Sequence, residues 1–319
     1  MQLILLAFSL SLGSSLLFYP FYIRFMQKQR FGQSISEYSL KEDQEKKGTP
    51  TMGGVLFVLL SIIITICVYP RFYQDQYVLM VLLAFVGYAI IGFIDDFIII
   101  VQKNNRGLPA LVKFVMQVIL ALSFYMIYRE QLASVVRFPF VNVLLGNRIL
   151  YPILLFFMFV GGSNAVNITD GMDGLAGGTM TIALIPFLIL ACQANEIGVA
   201  IFIAALMGSL IGFLRYNTKP ARIFMGDAGS LALGGAVAAI GVVLKVEIAL
   251  AIIGGVFVFE TLCVILQIGS VKLRGKRIFQ YTPIHYSFRL KGTPEQQVVF
   301  YFWITGIICA LFGYWVAIS

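Results

Sequence analysis

Apolar residues in this chain gather in long unbroken runs instead of alternating with polar ones. Ten such runs stand near 2–23, 51–70, 77–98, 111–127, 150–167, 175–192, 198–214, 229–244, 248–270 and 297–318. A helix needs roughly 20 apolar residues to cross a bilayer; a barrel strand needs only about 10, alternating with polar ones. The pattern predicts an all-α polytopic membrane protein with about ten transmembrane helices, in one integral membrane domain over residues 1–319. The first run lacks a basic leader and reads as a span, not a cleaved signal. Within 128–149 a turn signal, Gly146-Asn147, sits between short apolar pieces and predicts a small hairpin.

Composition agrees. The 319 residues are 60% hydrophobic and 12% charged, with a mean hydropathy of +0.91. Soluble domains carry about twice that share of charge. Cys67, Cys192, Cys263 and Cys309 fall within or at the ends of apolar runs and form no CxxC pair, so they read as small apolar residues.

Charge placement orients the chain. Seventeen Lys and Arg lie in 24–50, 99–110, 215–228 and 271–296, with Lys113 beside them; the opposite loops keep only Arg71, Arg129, Arg137, Arg148 and Lys245. The positive-inside rule makes the basic side cytoplasmic and puts both termini outside.

The acids mark candidate chemistry on that basic side. Asp95 and Asp96 end the third run, in IGFIDDFIII. Acids at membrane depth are costly and tend to be functional or paired, and the end of a helix disfavours negative charge, so a compensating cation is expected. NAVNITDGMDGLAGG, 164–178, is dense in oxygen donors and glycine, with Asp170 and Asp173 expected on one face of a helical turn. Such donors suit Mg²⁺ or a phosphorylated sugar. RYNTKPARIFMGDAGS, 215–230, sets three cations and Asn217 before Asp227, where either a helix N-terminus binding phosphate or a plain N-cap would fit. Gly53 and Gly54 suit close helix packing. His285, the only histidine, stands in a basic stretch that would suit phosphate, and Glu260 is a deep acid expected to be paired. Several carboxylates and cations, with no nucleophilic triad or redox motif, suit metal-assisted phosphoryl transfer between a lipid phosphate and a soluble substrate. Nothing calls for nucleic acid. A transporter would be expected to spread its acids through the spans; here most gather at one end.

The motifs KKGTPTMGG, FIDDF, KNNRGL, NAVNITDGMDGLA, FMGDAGSLALGG and TPIHYSFRLKG, in this order, resemble the MraY family of phospho-N-acetylmuramoyl-pentapeptide transferases, within the polyprenyl-phosphate N-acetylhexosamine-1-phosphate transferases. The resemblance implies ten spans, Mg²⁺, a homodimer, and an active site facing the cytoplasm from the bacterial cell membrane. It implies transfer of phospho-MurNAc-pentapeptide from UDP-MurNAc-pentapeptide to undecaprenyl phosphate, giving lipid I and UMP. Residue by residue, it implies catalytic roles for Asp95, Asp96, Asp227 and His285. Metal ligation falls to Asp227, with Asp96 or Asp173 adding a ligand. Lys46, Thr51, Lys103, Lys113, Asn167, Asp170, Asp173, Asn217 and Phe224 line the substrate groove, Phe224 against uracil. Asp95 would orient the lipid phosphate or take its proton for a direct displacement; a phospho-aspartate at Asp95 is the two-step alternative. A sister transferase using UDP-GlcNAc shares most of these residues.

The chain departs from the family pattern in two places. It has His285, Tyr286 and Ser287 where three histidines are usual, followed by Arg289 in place of an acid, and Ile99 where many members have lysine. The cation for the aspartate pair is then expected to be Mg²⁺, Lys103 or Lys113.

Overall fold

The computed structural model describes residues 1–29, 48–102, 107–130, 135–137, 144–146 and 150–319; Lys46 and Lys103 lie outside them. Helices α1 (Gln2–Lys28), α2 (Gly53–Val68), α3 (Gln76–Gln102) and α4 (Ala110–Tyr128) precede a short hairpin of β1 (Val135–Arg137) and β2 (Leu144–Gly146). Then come α5 (Leu150–Phe156), a π-helical turn at Phe157–Gly161, α6 (Gly162–Thr169), α7 (Leu175–Gln193), α8 (Ile197–Asn217) and α9 (Asp227–Val243). The chain closes with α10 (Glu247–Ile253), α11 (Gly255–Arg274), α12 (Ile284–Leu290) and α13 (Glu295–Ile318).

Among the described residues eight helices are long and apolar enough to cross a membrane, with α5 and α6 counted together. Helices α2 and α9 are apolar but shorter. This is a multi-pass, essentially all-helical membrane protein. Two expectations are corrected in detail. The run near 248–270 breaks at Gly254 into α10 and α11. The hairpin forms, but its strands pair Val135 with Gly146, so Gly146 ends a strand.

Helix α8 is buried along nearly its whole length and packs against α1, α2 and α7, while α3 lies along α9 and α9 along α6. Lipid tails are as apolar as leucine, so such packing depends on close approach and internal polar contacts. Ser61 and Ser209 share a 2.6 Å hydrogen bond, and Ser15 Oγ donates to the Ser209 carbonyl at 3.1 Å, which ties α1, α2 and α8. Gly54 meets Gly229 with no room for a side chain on either, as expected of the glycine pair. From α1, Tyr19 and Tyr22 donate to the carbonyls of Gly53 (2.8 Å) and Met52 (3.0 Å), fixing the start of α2. The outward faces of α1, α4, α11 and α13 carry Phe21, Leu111, Ile265 and Leu311, as surfaces that face lipid should.

Candidate active site

The site is built where α3 ends, α4 and α9 begin and α6 stops. Successive helical residues point about 100° apart, so adjacent aspartates cannot share a direction. Asp95 turns towards α4. Its Oδ1 accepts the Leu108 amide at 2.8 Å and lies 3.1 Å from Lys113 Nζ. Asp96 turns towards α9 and accepts the amides of Asp227 (3.1 Å) and Ala228 (3.0 Å). It is thus an N-cap supplied by another helix, satisfying amides that a helix start leaves open. The α9 N-terminus, read as a possible phosphate site, is closed by Asp96.

That capping leaves the Asp227 carboxylate free to face outward. Lys113 Nζ contacts its Oδ2 at 2.6 Å, so the ammonium bridges Asp95 and Asp227. Asn167 Nδ2, from the last turn of α6, donates to Asp227 Oδ1 at 2.7 Å and to Ser230 Oγ at 2.9 Å. Among the described residues the compensating cation is Lys113. Oxygens of Asp95, Asp96 and Asp227 all come within 4.8 Å of one another. Asp95 and Asp96 are buried, whereas Asp227 stays partly open. Three clustered carboxylates with one lysine, which pairs with two of them, leave an excess of negative charge among the described residues, and this cluster of hard oxygen donors suits a divalent cation.

The 170–174 turn corrects another expectation. Asp170 and Asp173 do not share a helical face, because α6 stops at Thr169 and Gly174 turns the chain with φ +79°. Half-buried Asp170 stays near the cluster: burial first, then the charges of Asp227 and Asp173, push its carboxyl up to about 7. Asp173 points elsewhere. Its Oδ2 accepts the Ala221 amide at 3.0 Å and its own amide donates to Glu295 at 3.0 Å. Asp173 is not one of the three clustered carboxylates. Glu295 also binds Lys219 at 2.7 Å, so Lys219 is turned to a buried acid. Asn217 is buried too; it accepts the Gly174 amide at 3.0 Å and donates to the Ile223 carbonyl at 2.9 Å, which holds the 218–223 loop. Phe224 exchanges backbone bonds of 2.8 Å with Pro50 and Gly53, bringing buried Thr51 beside Gly226.

His285 is not in an open loop. It is fully buried in α12, with Nδ1 2.9 Å from Glu260 Oε1, which gives that deep acid its expected partner. Tyr286 Oη donates to the Gly171 carbonyl at 3.0 Å, while Ser287 closes a local turn with Tyr281. Sequence reading missed Gln117, whose Oε1 accepts from Asn164 Nδ2 at 2.7 Å, one turn deeper than Lys113 and Asn167. It also missed Glu295. The i, i+4 spacing of Gln117 from Lys113 was the available signal for the first; nothing local marked the second.

The helices and the acid–lysine cluster together define a multi-pass membrane protein whose site is equipped for phosphoryl-transfer chemistry. The family model for Glycosyl transferase family 4 matches residues 78–245, a span that contains the whole cluster. Phospho-N-acetylmuramoyl-pentapeptide-transferase signature 1 matches residues 46–58. Proteins named phospho-N-acetylmuramoyl-pentapeptide-transferase from Bacillus licheniformis and Bacillus subtilis are each 46% identical, over 99% of this chain and 98% of theirs. One from Geobacillus thermodenitrificans is 42% identical over the same shares. The chain belongs to the phospho-N-acetylmuramoyl-pentapeptide-transferase family.

Proposed function

We propose that this protein transfers phospho-MurNAc-pentapeptide from its UDP carrier to undecaprenyl phosphate, forming lipid I and releasing UMP for peptidoglycan synthesis. The observation that carries the reading is the Lys113 bridge between Asp95 and Asp227. It puts a cation and an excess of acids at one end of apolar helices, where a lipid phosphate and a soluble nucleotide can meet. By charge placement that end faces the cytoplasm of a bacterial cell membrane, with both termini outside.

The reaction is an in-line displacement. An oxygen of the lipid phosphate attacks the β-phosphorus of the UDP-sugar, the bond from that phosphorus to the bridging oxygen breaks, and UMP leaves with the electron pair. The lipid phosphate's second pKa is about 6, so the nucleophile is largely ionised already and needs orienting more than deprotonating. Lys113, held by Asp95, is the group to orient it. Asn167 fixes the Asp227 carboxylate from the other side. Asp227, with Asp96 and Asp95 beside it, fits Mg²⁺, which takes one or two carboxylates and keeps its remaining waters. Bound there, the ion would neutralise the pyrophosphate charge. Asp170, Thr51 and Phe224 would line the donor's side, and a homodimer is the assembly expected.

The test is UMP release by purified protein in detergent, with undecaprenyl phosphate, Mg²⁺ and either UDP-MurNAc-pentapeptide or UDP-GlcNAc. Turnover of the muramyl donor alone is the expected result. Turnover of UDP-GlcNAc alone would assign the sister reaction, and none with either donor would reject the reading.

A further inference from the structure

Glu260 stands deep in α11, far along the chain from the acid cluster, yet it repeats the device seen at Asp96. Its Oε2 accepts the Ile284 amide at 2.8 Å and its Oε1 the His285 amide at 3.2 Å, so it caps the start of α12 from another helix. The same Oε1 lies 2.9 Å from His285 Nδ1. Both side chains are fully buried. The other ring nitrogen, Nε2, is buried and has no hydrogen-bond partner among the described residues. It lies so close to Gly171 that a side chain at 171 would collide with it.

A carboxylate accepts and cannot donate, so its contact requires the hydrogen on Nδ1 and assigns Nε2 to whatever the ring meets next. Just as Asp96 holds the first residue of α9 with the Asp227 carboxylate turned outward, Glu260 holds the second residue of α12 with Nε2 turned to the 170–174 turn. We infer that Glu260 is the positioning residue for His285, fixing both the place of α12 and the tautomer of the ring. The inference rests on the reading of His285 as part of the transferase site, but its structural half can be tested without turnover.

The chain has a single histidine, so protein labelled with ¹⁵N-histidine and purified on a tag free of histidine gives one pair of ring-nitrogen signals. In the unaltered protein Nδ1 should carry its hydrogen. Glu260→Gln is nearly isosteric but turns an amide donor towards at least one of the three N–H groups, so the Nδ1 signal should move and the tautomer balance shift. An Nδ1 without hydrogen in the unaltered protein, or identical ring signals in both proteins, would overturn the positioning role. In turnover, Glu260→Gln should lower kcat by roughly tenfold or more with KM little changed, up to the ~10²–10⁴-fold that one acid–base group contributes. In a His285→Ala background the same change should then cost less than about twofold, because residues acting as one unit are not additive. Equal losses in both backgrounds would overturn action through His285. Full activity of His285→Ala, with the ring signals still responding to Glu260→Gln, would reject the catalytic reading of His285 and keep the positioning role.

Discussion

Asp96 sets the position of Asp227: Asp96 Oδ1 accepts the Asp227 backbone N–H at 3.1 Å, while the Asp227 carboxylate points away to Lys113 and Asn167. A buried acid at the end of one span thus aims the acid at the start of another.

This makes Asp96 a positioning residue and predicts a double effect. Asp96→Asn replaces one acceptor by a donor facing an amide, and a hydrogen bond to a charged group contributes about 1.5–3 kcal/mol. The variant should unfold at lower temperature in detergent and release UMP at least about tenfold more slowly, the factor that 1.4 kcal/mol corresponds to. Normal stability with lost activity would show that Asp96 acts directly on substrate or metal.

Lys113 carries the opposite expectation. Lys113→Met leaves buried Asp95 without its ammonium, and breaking such a pair from one side costs about 3–5 kcal/mol when fully buried. The lysine is 21% exposed, so the loss should be smaller. Adding Asp95→Asn to Lys113→Met should recover part of the stability, because the more buried of the two stranded charges is gone. It should not recover UMP release. Thermal unfolding and turnover of the two single variants and the double variant test this together.

Much of this was legible in the chain and some was not, for physical reasons. The apolar runs located the helices because bilayer thickness sets their length. Asp95, Asp96 and Asp227 stood out because acids are rare at such depth. Their division of labour was hidden. Whether a carboxylate caps a helix or meets a substrate depends on partners more than a hundred residues away, as with Asp96 and Asp227. Asp170 and Asp173 looked like a pair by spacing, but the helix that would have aligned them stops at Thr169 and Gly174 turns the chain into the next one. Asp173 stood out as polar among glycines and Asn217 through the resemblance, and what neither showed is that each holds a backbone amide of a loop.

Chelation gives a third prediction. EDTA should abolish UMP release and added Mg²⁺ should restore it. Asp227→Asn should raise the Mg²⁺ concentration for half-maximal rate by about tenfold or more, the usual cost of disturbing a metal's immediate surroundings. Asp173→Asn should leave that concentration unchanged, since Asp173 lies outside the carboxylate cluster. Titrations of rate against Mg²⁺ for the three proteins decide it, and a matching rise in Asp173→Asn would move the ion towards the 170–174 turn.

The last prediction concerns the backbone contact on which the cluster depends. Gly92 lies one helical turn before Asp96 on α3 and faces the same way. A side chain there would overlap the Asp227 carbonyl and the Ala228 amide, which are backbone atoms that no rotamer change can move. Gly87, further up α3, is also tight, but its obstacle is the side chain of Leu120, with a Cδ2 at 2.6 Å, which can swing aside. Gly92→Ala should therefore push the start of α9 off Asp96, costing stability in the range of about 1–3 kcal/mol or more typical of overpacking. UMP release should fall with it, as Asp227 leaves Lys113. Gly87→Ala adds the same methyl group to the same helix and should cost far less in both assays. Equal losses in the two variants would mean that α3 tolerates no added bulk anywhere, and that its fit to α9 at Gly92 is not what holds the site together.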